Sequence, residues 1–171
     1  MSDDDLRLVH LVDDDDAIRR SVGFMLKTSG YHVRTYESGV ELLKGAPGLE
    51  PGCILLDIRM PGMDGLEVQA ALRDKGVTLP VIIMTGHGDV SLAVQAMKAG
   101  AVDFIEKPFE KAVLLSAIDH GVERLRKSAA DFLSRSTPWS IAESSTAFSN
   151  GFSMKSTAPA FIAWTARLTS P

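Results

Sequence analysis

The stretch Cys53-Ile54-Leu55-Leu56-Asp57-Ile58-Arg59-Met60-Pro61-Gly62-Met63-Asp64-Gly65 decides the fold. Its apolar run has no polar alternation, which is the pattern of a strand buried on both faces in a parallel sheet with helices above and below. Asp57 ends the run, and Pro61-Gly62 and Asp64-Gly65 impose a turn after it. In open α/β sheets ligands bind beyond the carboxyl ends of the strands. Asp57 therefore stands where chemistry is usually done, although a carboxylate that merely caps a strand would leave the same local trace.

Upstream, the pattern repeats. Leu6 to Val12 is mostly apolar and runs into Asp13-Asp14-Asp15-Asp16, after which Ile18, Val22, Met25 and Leu26 recur at helical spacing up to Gly30. Asp15 and Asp16 are placed to cap that helix and to favour its positive end. Tyr31 to Tyr36 reads as an edge strand with charged neighbours, and a short helix over Ser38 to Lys44 leads through Ala46-Pro47-Gly48 to the Asp57 strand. Downstream, Leu66, Ala70 and Leu72 suggest a third helix stopped by Gly76, and Val81 to Met84 is a strand ended by Thr85-Gly86-His87-Gly88. Val90, Ala93, Val94 and Met97 then fall on one helical stripe closed by Gly100. Val102 to Ile105 is the fifth strand, ahead of Glu106-Lys107-Pro108-Phe109. The last helix carries Leu114, Ala117, Ile118, Gly121, Val122 and Leu125 on one face and ends in Arg124, Arg126 and Lys127.

Alternating strands and helices predict an α/β fold with right-handed crossovers. For five such units the expected architecture is a five-stranded parallel sheet of flavodoxin-like (βα)5 type, strand order 2-1-3-4-5, with helices on both faces. That order makes the strands ending at Asp13, Asp57, Thr85 and Lys107 neighbours. Their polar ends converge on one edge, which favours chemistry over a simple cap at Asp57.

Three carboxylates gathered there, Asp13, Asp14 and Asp57, repel one another by about 4 kcal/mol per pair at roughly 4 Å and an effective dielectric of about 20. Such a cluster calls for a cation or a proton. Mg2+ suits it, because that ion takes few protein oxygens and keeps waters and phosphate oxygens for the rest. An aspartate kept ionised beside Mg2+ and a lysine is a competent nucleophile toward a phosphoryl group. Thr85 would donate a hydrogen bond to the product phosphate, and Lys107 would neutralise part of its charge.

Composition narrows the alternatives. The chain has 171 residues, 45% of them apolar and 23% charged, and a net charge of -4, which argues against a general nucleic-acid surface. Its one cysteine, Cys53, lies in the apolar strand and is read as a core residue of a reducing compartment. No apolar run is long enough to span a membrane, and Met1-Ser2-Asp3-Asp4-Asp5 is acidic where a signal peptide is basic, so a cytoplasmic location is expected. His10, His32 and His120 are scattered and suggest no metal set, and His87 reads as a loop residue.

Together, Val12-Asp13-Asp14, Asp57 with Met60-Pro61-Gly62-Met63-Asp64-Gly65, Thr85-Gly86, Ala99-Gly100-Ala101 and Lys107-Pro108-Phe109 form a specific set. On these motifs, from Arg7 to about Lys127, the chain resembles the receiver domain of bacterial two-component response regulators. Thr85-Gly86-His87-Gly88-Asp89 and the run from Ala101 to Phe109 look like the FixJ-type branch. The resemblance implies that Asp57 accepts a phosphoryl group from a sensor histidine kinase. It implies that Asp14 binds Mg2+ directly, Asp13 partly through water, and Arg59 through its backbone carbonyl. Thr85 and Lys107 would hold the phosphoryl oxygens, and Phe104 would be the switch aromatic that turns inward as Thr85 moves. The Lys107-Pro108 bond is expected to be cis, and Arg59 and His87 are expected to tune phosphate lifetime. The helix from Val90 to Ala99, the strand 102–105 and the last helix would form the responding face and a homodimer surface. Self-phosphorylation and self-dephosphorylation would be slow, so an enzyme in the ordinary sense is not expected.

Rival readings remain. A haloacid-dehalogenase-type Mg-dependent aspartyl-phosphate phosphatase would want an acid two residues after the nucleophile, where this chain has Arg59. A flavodoxin-like electron carrier would need a phosphate-binding loop after strand 1, where four aspartates stand. Residues 1–127 are read as the receiver and 128–171 as a Ser/Thr-rich tail, with fifteen Ser or Thr and four Leu, Ile or Val, too polar to bury much surface. No helix-turn-helix is legible there, so DNA binding is not supported in this chain. A transcription factor truncated or frame-shifted before its output domain is the alternative expectation, and Trp139 and Trp164 are unusual in a plain linker.

Overall fold

The computed structural model describes residues 7–135. Five strands alternate with five helices: β1 (Leu8–Val12), α1 (Asp16–Lys27), β2 (His32–Tyr36), α2 (Gly39–Gly45), β3 (Cys53–Asp57), α3 (Gly65–Asp74), β4 (Val81–Thr85), α4 (Val90–Lys98), β5 (Asp103–Glu106) and α5 (Lys111–Arg135). All pairings are parallel and the strand order is β2-β1-β3-β4-β5, the order expected from the sequence.

The unbroken apolar runs follow from the two-residue period of a strand covered on both sides. Val9, Leu11, Cys53, Leu55, Ile82 and Met84 face one way, into a core closed by Val22 and Leu26 of α1 and Leu114, Ala117 and Ile118 of α5. Val12, Ile54, Leu56, Val81 and Ile83 face the other way, against Leu42 of α2, Val68 and Leu72 of α3 and Ala96 of α4. Cys53 belongs to the first core, and burial pushes its thiol up to about 12. A Cβ at Gly121 would stand 2.7 Å from Cys53 Sγ, so the absence of a side chain there lets α5 lie close on β3.

Helix starts are written in capping chemistry. Asp15 accepts from Ala17 N and Ile18 N at the head of α1, and Ser38 accepts from Glu41 N at the head of α2. Asp64 and Glu67 form a reciprocal capping box on α3. The Lys107–Pro108 bond is cis, as expected, and so is Ala46–Pro47.

Two expectations need correction. The apolar stripe of α4 is turned outward for the most part: Val90, Val94 and Met97 are exposed, and Ala93 and Ala96 make the buried contact. The short side chains let α4 approach the sheet while the larger ones stay in solvent. In addition, α5 continues past Lys127 to Arg135, with Ala129 buried and i,i+4 ion pairs Glu123–Lys127 and Asp131–Arg135 along its exposed side. The boundary read at Lys127 thus falls inside a helix. The remainder of the tail, 136–171, with Trp139 and Trp164, lies outside the described residues.

Candidate functional site

The carboxyl ends of β1 and β3 are neighbours through the Val12–Leu56 register, and backbone bonds extend the β2–β1, β3–β4 and β4–β5 ladders by a residue. Asp13 N donates to Tyr36 O at 3.2 Å, Ile58 N to Met84 O at 3.0 Å and Lys107 N to Thr85 O at 2.7 Å. Together with that register they bring Asp13, Asp57, Thr85 and Lys107 onto one edge, the convergence expected from strand order.

The four consecutive aspartates after β1 have different duties. Asp13 is buried, its Oδ1 accepting from Asp15 N at 2.9 Å and its Oδ2 from Lys107 Nζ at 2.6 Å. Asp14 is exposed toward solvent, Asp15 caps α1, and Asp16 pairs with Arg19 and Arg20. Across from them, Asp57 is 5% exposed, and its Oδ1 accepts from the same Lys107 Nζ at 3.0 Å. Asp13, Asp14 and Asp57 each offer an oxygen within 4.8 Å of the others. An all-oxygen set with one open, solvent-facing member fits a hard, incompletely dehydrated cation such as Mg2+.

Electrostatics matches this geometry. Burial raises the Asp57 carboxyl to about 6, with Lys107 pulling it down and Asp13 and Asp14 adding to the rise. Burial also pulls on the Lys107 ammonium, but Asp13 and Asp57 outweigh it and leave Lys107 above its ordinary value. One ammonium thus serves two carboxylates, which leaves a negative site for a cation to complete.

The β4–β5 side is arranged differently. Thr85 is buried, and its hydroxyl donates at 3.3 Å to Ile105 O of the neighbouring strand. Phe104 on β5 is 46% exposed, so its ring faces outward. Arg59 extends from the β3–α3 loop, and its Nε donates to Asp89 Oδ1 at 2.7 Å with Nη2 closing on the same oxygen. Asp89 stands at the N-cap of α4 but makes no capping bond with its side chain; its second oxygen accepts from Gly86 N at 3.2 Å. The Arg59 guanidinium holds the Asp89 carboxyl below its usual range, and Asp89 in turn raises Arg59. His87 is fully in solvent beside Glu106, at 2.8 Å.

Sequence did not single out Arg19, nor the contacts that Gly65, Asp89 and His10 make. Gly65 packs so closely that a Cβ would lie 2.7 Å from Asp57 O and 2.8 Å from Ile58 Cα. The Asp64-Gly65-Leu66-Glu67 capping-box spacing was the available signal. Arg19 and Asp89 act through contacts that no local motif records. His10 is buried in β1, its Nε2–H donating to Glu50 O at 2.9 Å and its Nδ1 accepting from Tyr36 Oη at 3.0 Å, and burial lowers its pKa.

Comparison with known proteins agrees with this fold. The family model for the response regulator receiver domain matches residues 9–119. The chain is similar to the transcriptional regulatory protein FixJ of Rhizobium meliloti, 47% identical over 123 residues, which are 72% of this chain and 60% of that relative. It is also similar to the C4-dicarboxylate transport transcriptional regulatory protein DctR of Rhodobacter capsulatus, 45% identical over 128 residues, covering 71% of this chain and 65% of that one. The crystal structure of FixJ-N superposes with a TM-score of 0.67 at 46% identity, covering 72% of this chain and 96% of that one. Full-length FixJ from B. japonicum gives 0.68 at 42% identity, covering 72% of this chain and 61% of that one. The chain therefore spans between half and two thirds of the length of these curated relatives, at 60% and 65%.

Proposed function

The chain belongs to the response regulator receiver domain family, and from that premise we propose that it is a phosphoacceptor switch in a phosphorelay. Asp57 takes a phosphoryl group from a phosphohistidine on a sensor histidine kinase. An oxygen of the Asp57 carboxylate forms the bond to phosphorus while the phosphorus–nitrogen bond breaks and the imidazole keeps the electron pair. Asp13, Asp14, Asp57 and the Arg59 carbonyl would hold Mg2+, which when bound supplies positive charge against the transferring phosphoryl oxygens. Lys107 leaves its two-carboxylate bridge to pair with the phosphoryl group. Thr85 gives up Ile105 O to donate to the same group, and Phe104 turns into the space that opens. Receivers of this kind run slow self-phosphorylation and self-dephosphorylation instead of turnover.

The observation that carries this reading is Lys107 Nζ placed between Asp13 Oδ2 and Asp57 Oδ1, at 2.6 and 3.0 Å. It supports the reading because Asp57, Asp13 and the Lys107 ammonium share a single network. The exposed face of Val90, Val94, Met97 and Phe104 supports a partner or homodimer surface on α4, β5 and α5 that responds to the phosphate. The transcriptional regulators among the relatives support an output in gene control by way of a further domain, in a cytoplasmic protein. Among the described residues no helix is long and apolar enough to cross a membrane. An aspartyl-phosphate phosphatase is less well supported, because Arg59 stands where its acid is needed and its guanidinium is turned to Asp89.

The test is intact mass after incubation with acetyl phosphate and Mg2+. The expected result is one added phosphoryl group on the wild type and none on Asp57→Asn. An unmodified wild type, or equal labelling of both proteins, would exclude Asp57 as the acceptor.

A further inference from the structure

Arg19 lies on the first turns of α1, outside the acidic set, with 16% of its side chain exposed. Its Nη1 donates to two consecutive backbone carbonyls, Asp13 O at 2.7 Å and Asp14 O at 2.9 Å, and its Nη2 reaches Asp16 Oδ1 at 3.3 Å. A planar fork of fixed N–H directions suits this, since it can hold two peptide planes at once. A carbonyl and the amide of the next residue belong to one rigid plane and point in opposite directions. Holding Asp14 O therefore aims Asp15 N–H, and that amide donates to Asp13 Oδ1 at 2.9 Å. Asp13 Oδ2 receives Lys107 Nζ at 2.6 Å, and the same ammonium reaches Asp57 Oδ1 at 3.0 Å.

From this unbroken chain of contacts we infer that Arg19 is the positioning residue of the acidic site. It fixes the Asp13–Asp15 loop so that the Asp13 carboxylate and, through Lys107, the Asp57 carboxylate are held in cation-accepting geometry. The inference rests on the phosphoacceptor reading with Mg2+ at Asp13, Asp14 and Asp57, and it concerns how that site is held together.

Its sign separates it from a purely electrostatic role. Arg19 carries a positive charge close to a negative site, so if charge alone mattered its removal would tighten Mg2+ binding. A positioning role predicts the opposite. Groups that orient metal ligands without touching the metal cost roughly 10- to 100-fold in affinity when removed.

The experiment is a calorimetric Mg2+ titration of the full chain for wild type, Arg19→Ala, Arg19→Lys and Asp14→Asn, each first checked by circular dichroism. The Asp15 amide is followed by heteronuclear NMR and hydrogen exchange. The expected order is wild type tightest, Arg19→Lys intermediate because an ammonium keeps the charge and serves one carbonyl, and Arg19→Ala weakest by about tenfold or more. Asp15 amide protection should fall in the same order. Equal or tighter binding by Arg19→Ala, or an unchanged Asp15 amide, overturns the inference. If Arg19→Ala does not fold, Arg19→Lys carries the test alone, and wild-type affinity with a protected Asp15 amide in that variant overturns it. A wild type that binds no Mg2+, or an Asp14→Asn variant that binds as well, instead counts against the metal site itself.

Discussion

Around Asp57, the half of the site built on β1 and β3 differs from the half built on β4, β5 and α4. In the first, both oxygens of Asp13 are engaged, the Asp13 and Asp57 carboxylates are bridged by Lys107 reaching across from the end of β5, and Gly65 is pressed against the backbone of Asp57 and Ile58. In the second, Phe104 lies half in solvent, Thr85 holds a 3.3 Å bond to a neighbouring strand, and α4 begins without a side-chain cap because Asp89 is turned to Arg59 and Gly86. Alternative arrangements are available where contacts are few or exchangeable, and closed where they are packed and fully bonded. On the proposed phosphoacceptor reading, the chemistry belongs to the first half and the response to the second.

Substituting alanine for one glycine in each half should give the largest effect. In Gly65→Ala the new Cβ meets backbone at 2.7 and 2.8 Å, and backbone cannot swing aside as a side chain can. The expected loss is about 3 kcal/mol in denaturant unfolding, with weakened Mg2+ binding because Asp57 must shift. Gly88 has a positive φ of 90° but open space around a Cβ, so Gly88→Ala should cost only about 1–2 kcal/mol and leave Mg2+ affinity unchanged. Equal losses of stability and affinity would erase the distinction between the halves.

Next in size is the effect of charge at Asp57. Its carboxyl is raised from 3.8 to about 6, so between those values the folded chain binds the proton more tightly than the unfolded chain does. Stability therefore falls as pH rises through that window, and at neutral pH the cation-free protein is less stable than it would be with a neutral group at 57. Asp57→Asn, which keeps an acceptor for Lys107, should be more stable than wild type at pH 7 without Mg2+ by about 1–2 kcal/mol. That is less than the full shift, because the pocket opens to water at Asp14. The difference should vanish as the pH approaches about 4 and shrink in Mg2+. Thermal melts across pH, with and without the ion, check it, and a wild type more stable than Asp57→Asn at pH 7 in chelator would reverse the sign.

Much of the site's rim was legible in the sequence. Apolar runs ending in Asp13 and Asp57, a parallel order that makes those ends neighbours, and the placement of Thr85 and Lys107 all follow from local pattern and topology. What was hidden depends on contacts between distant residues. Arg19 reads as one more charge on an amphipathic helix until its guanidinium meets the Asp13 and Asp14 carbonyls. The Arg59–Asp89 pair joins two loops, and nothing local distinguishes Asp89 from an ordinary N-cap. The outward turn of Val90, Val94 and Met97 was hidden for a related reason. Helical spacing shows that residues share a face, and only packing decides whether that face meets the sheet. Likewise α5 passes Lys127 because Ala129 finds cover, while the composition of the whole tail masks that helical turn.

Phe104→Ala probes the responding half. The ring is 46% exposed, so truncation forfeits part of an aromatic burial and some strand preference, about 1 kcal/mol in all. Phosphorylation of Asp57 should proceed at the wild-type rate. The change in hydrodynamic size on adding beryllofluoride should be reduced or lost, as read by sedimentation. A variant that labels slowly would move Phe104 into the chemical half.

The smallest effect is expected where α3 meets α4. Gln69 is 5% exposed, and its Nε2 donates to Ala96 O at 3.1 Å while its Oε1 is buried without a partner among the described residues. An unsatisfied buried acceptor costs about 1–3 kcal/mol, roughly cancelling what a single hydrogen bond contributes. Ala96 O also accepts from Ala101 N at 3.0 Å, so losing the glutamine does not strand that carbonyl. Gln69→Leu removes one bond and one orphaned oxygen together and adds apolar contact beside Val68 and Leu72. Its unfolding free energy should stay within about 0.5 kcal/mol of wild type. Such a near-neutral result would identify the α3–α4 contact as one that holds α4 in place without locking it. A loss well above 1 kcal/mol would show that α4 is pinned as firmly as the β1–β3 rim, and the line between a fixed half and a responsive half would have to be redrawn on the far side of α4.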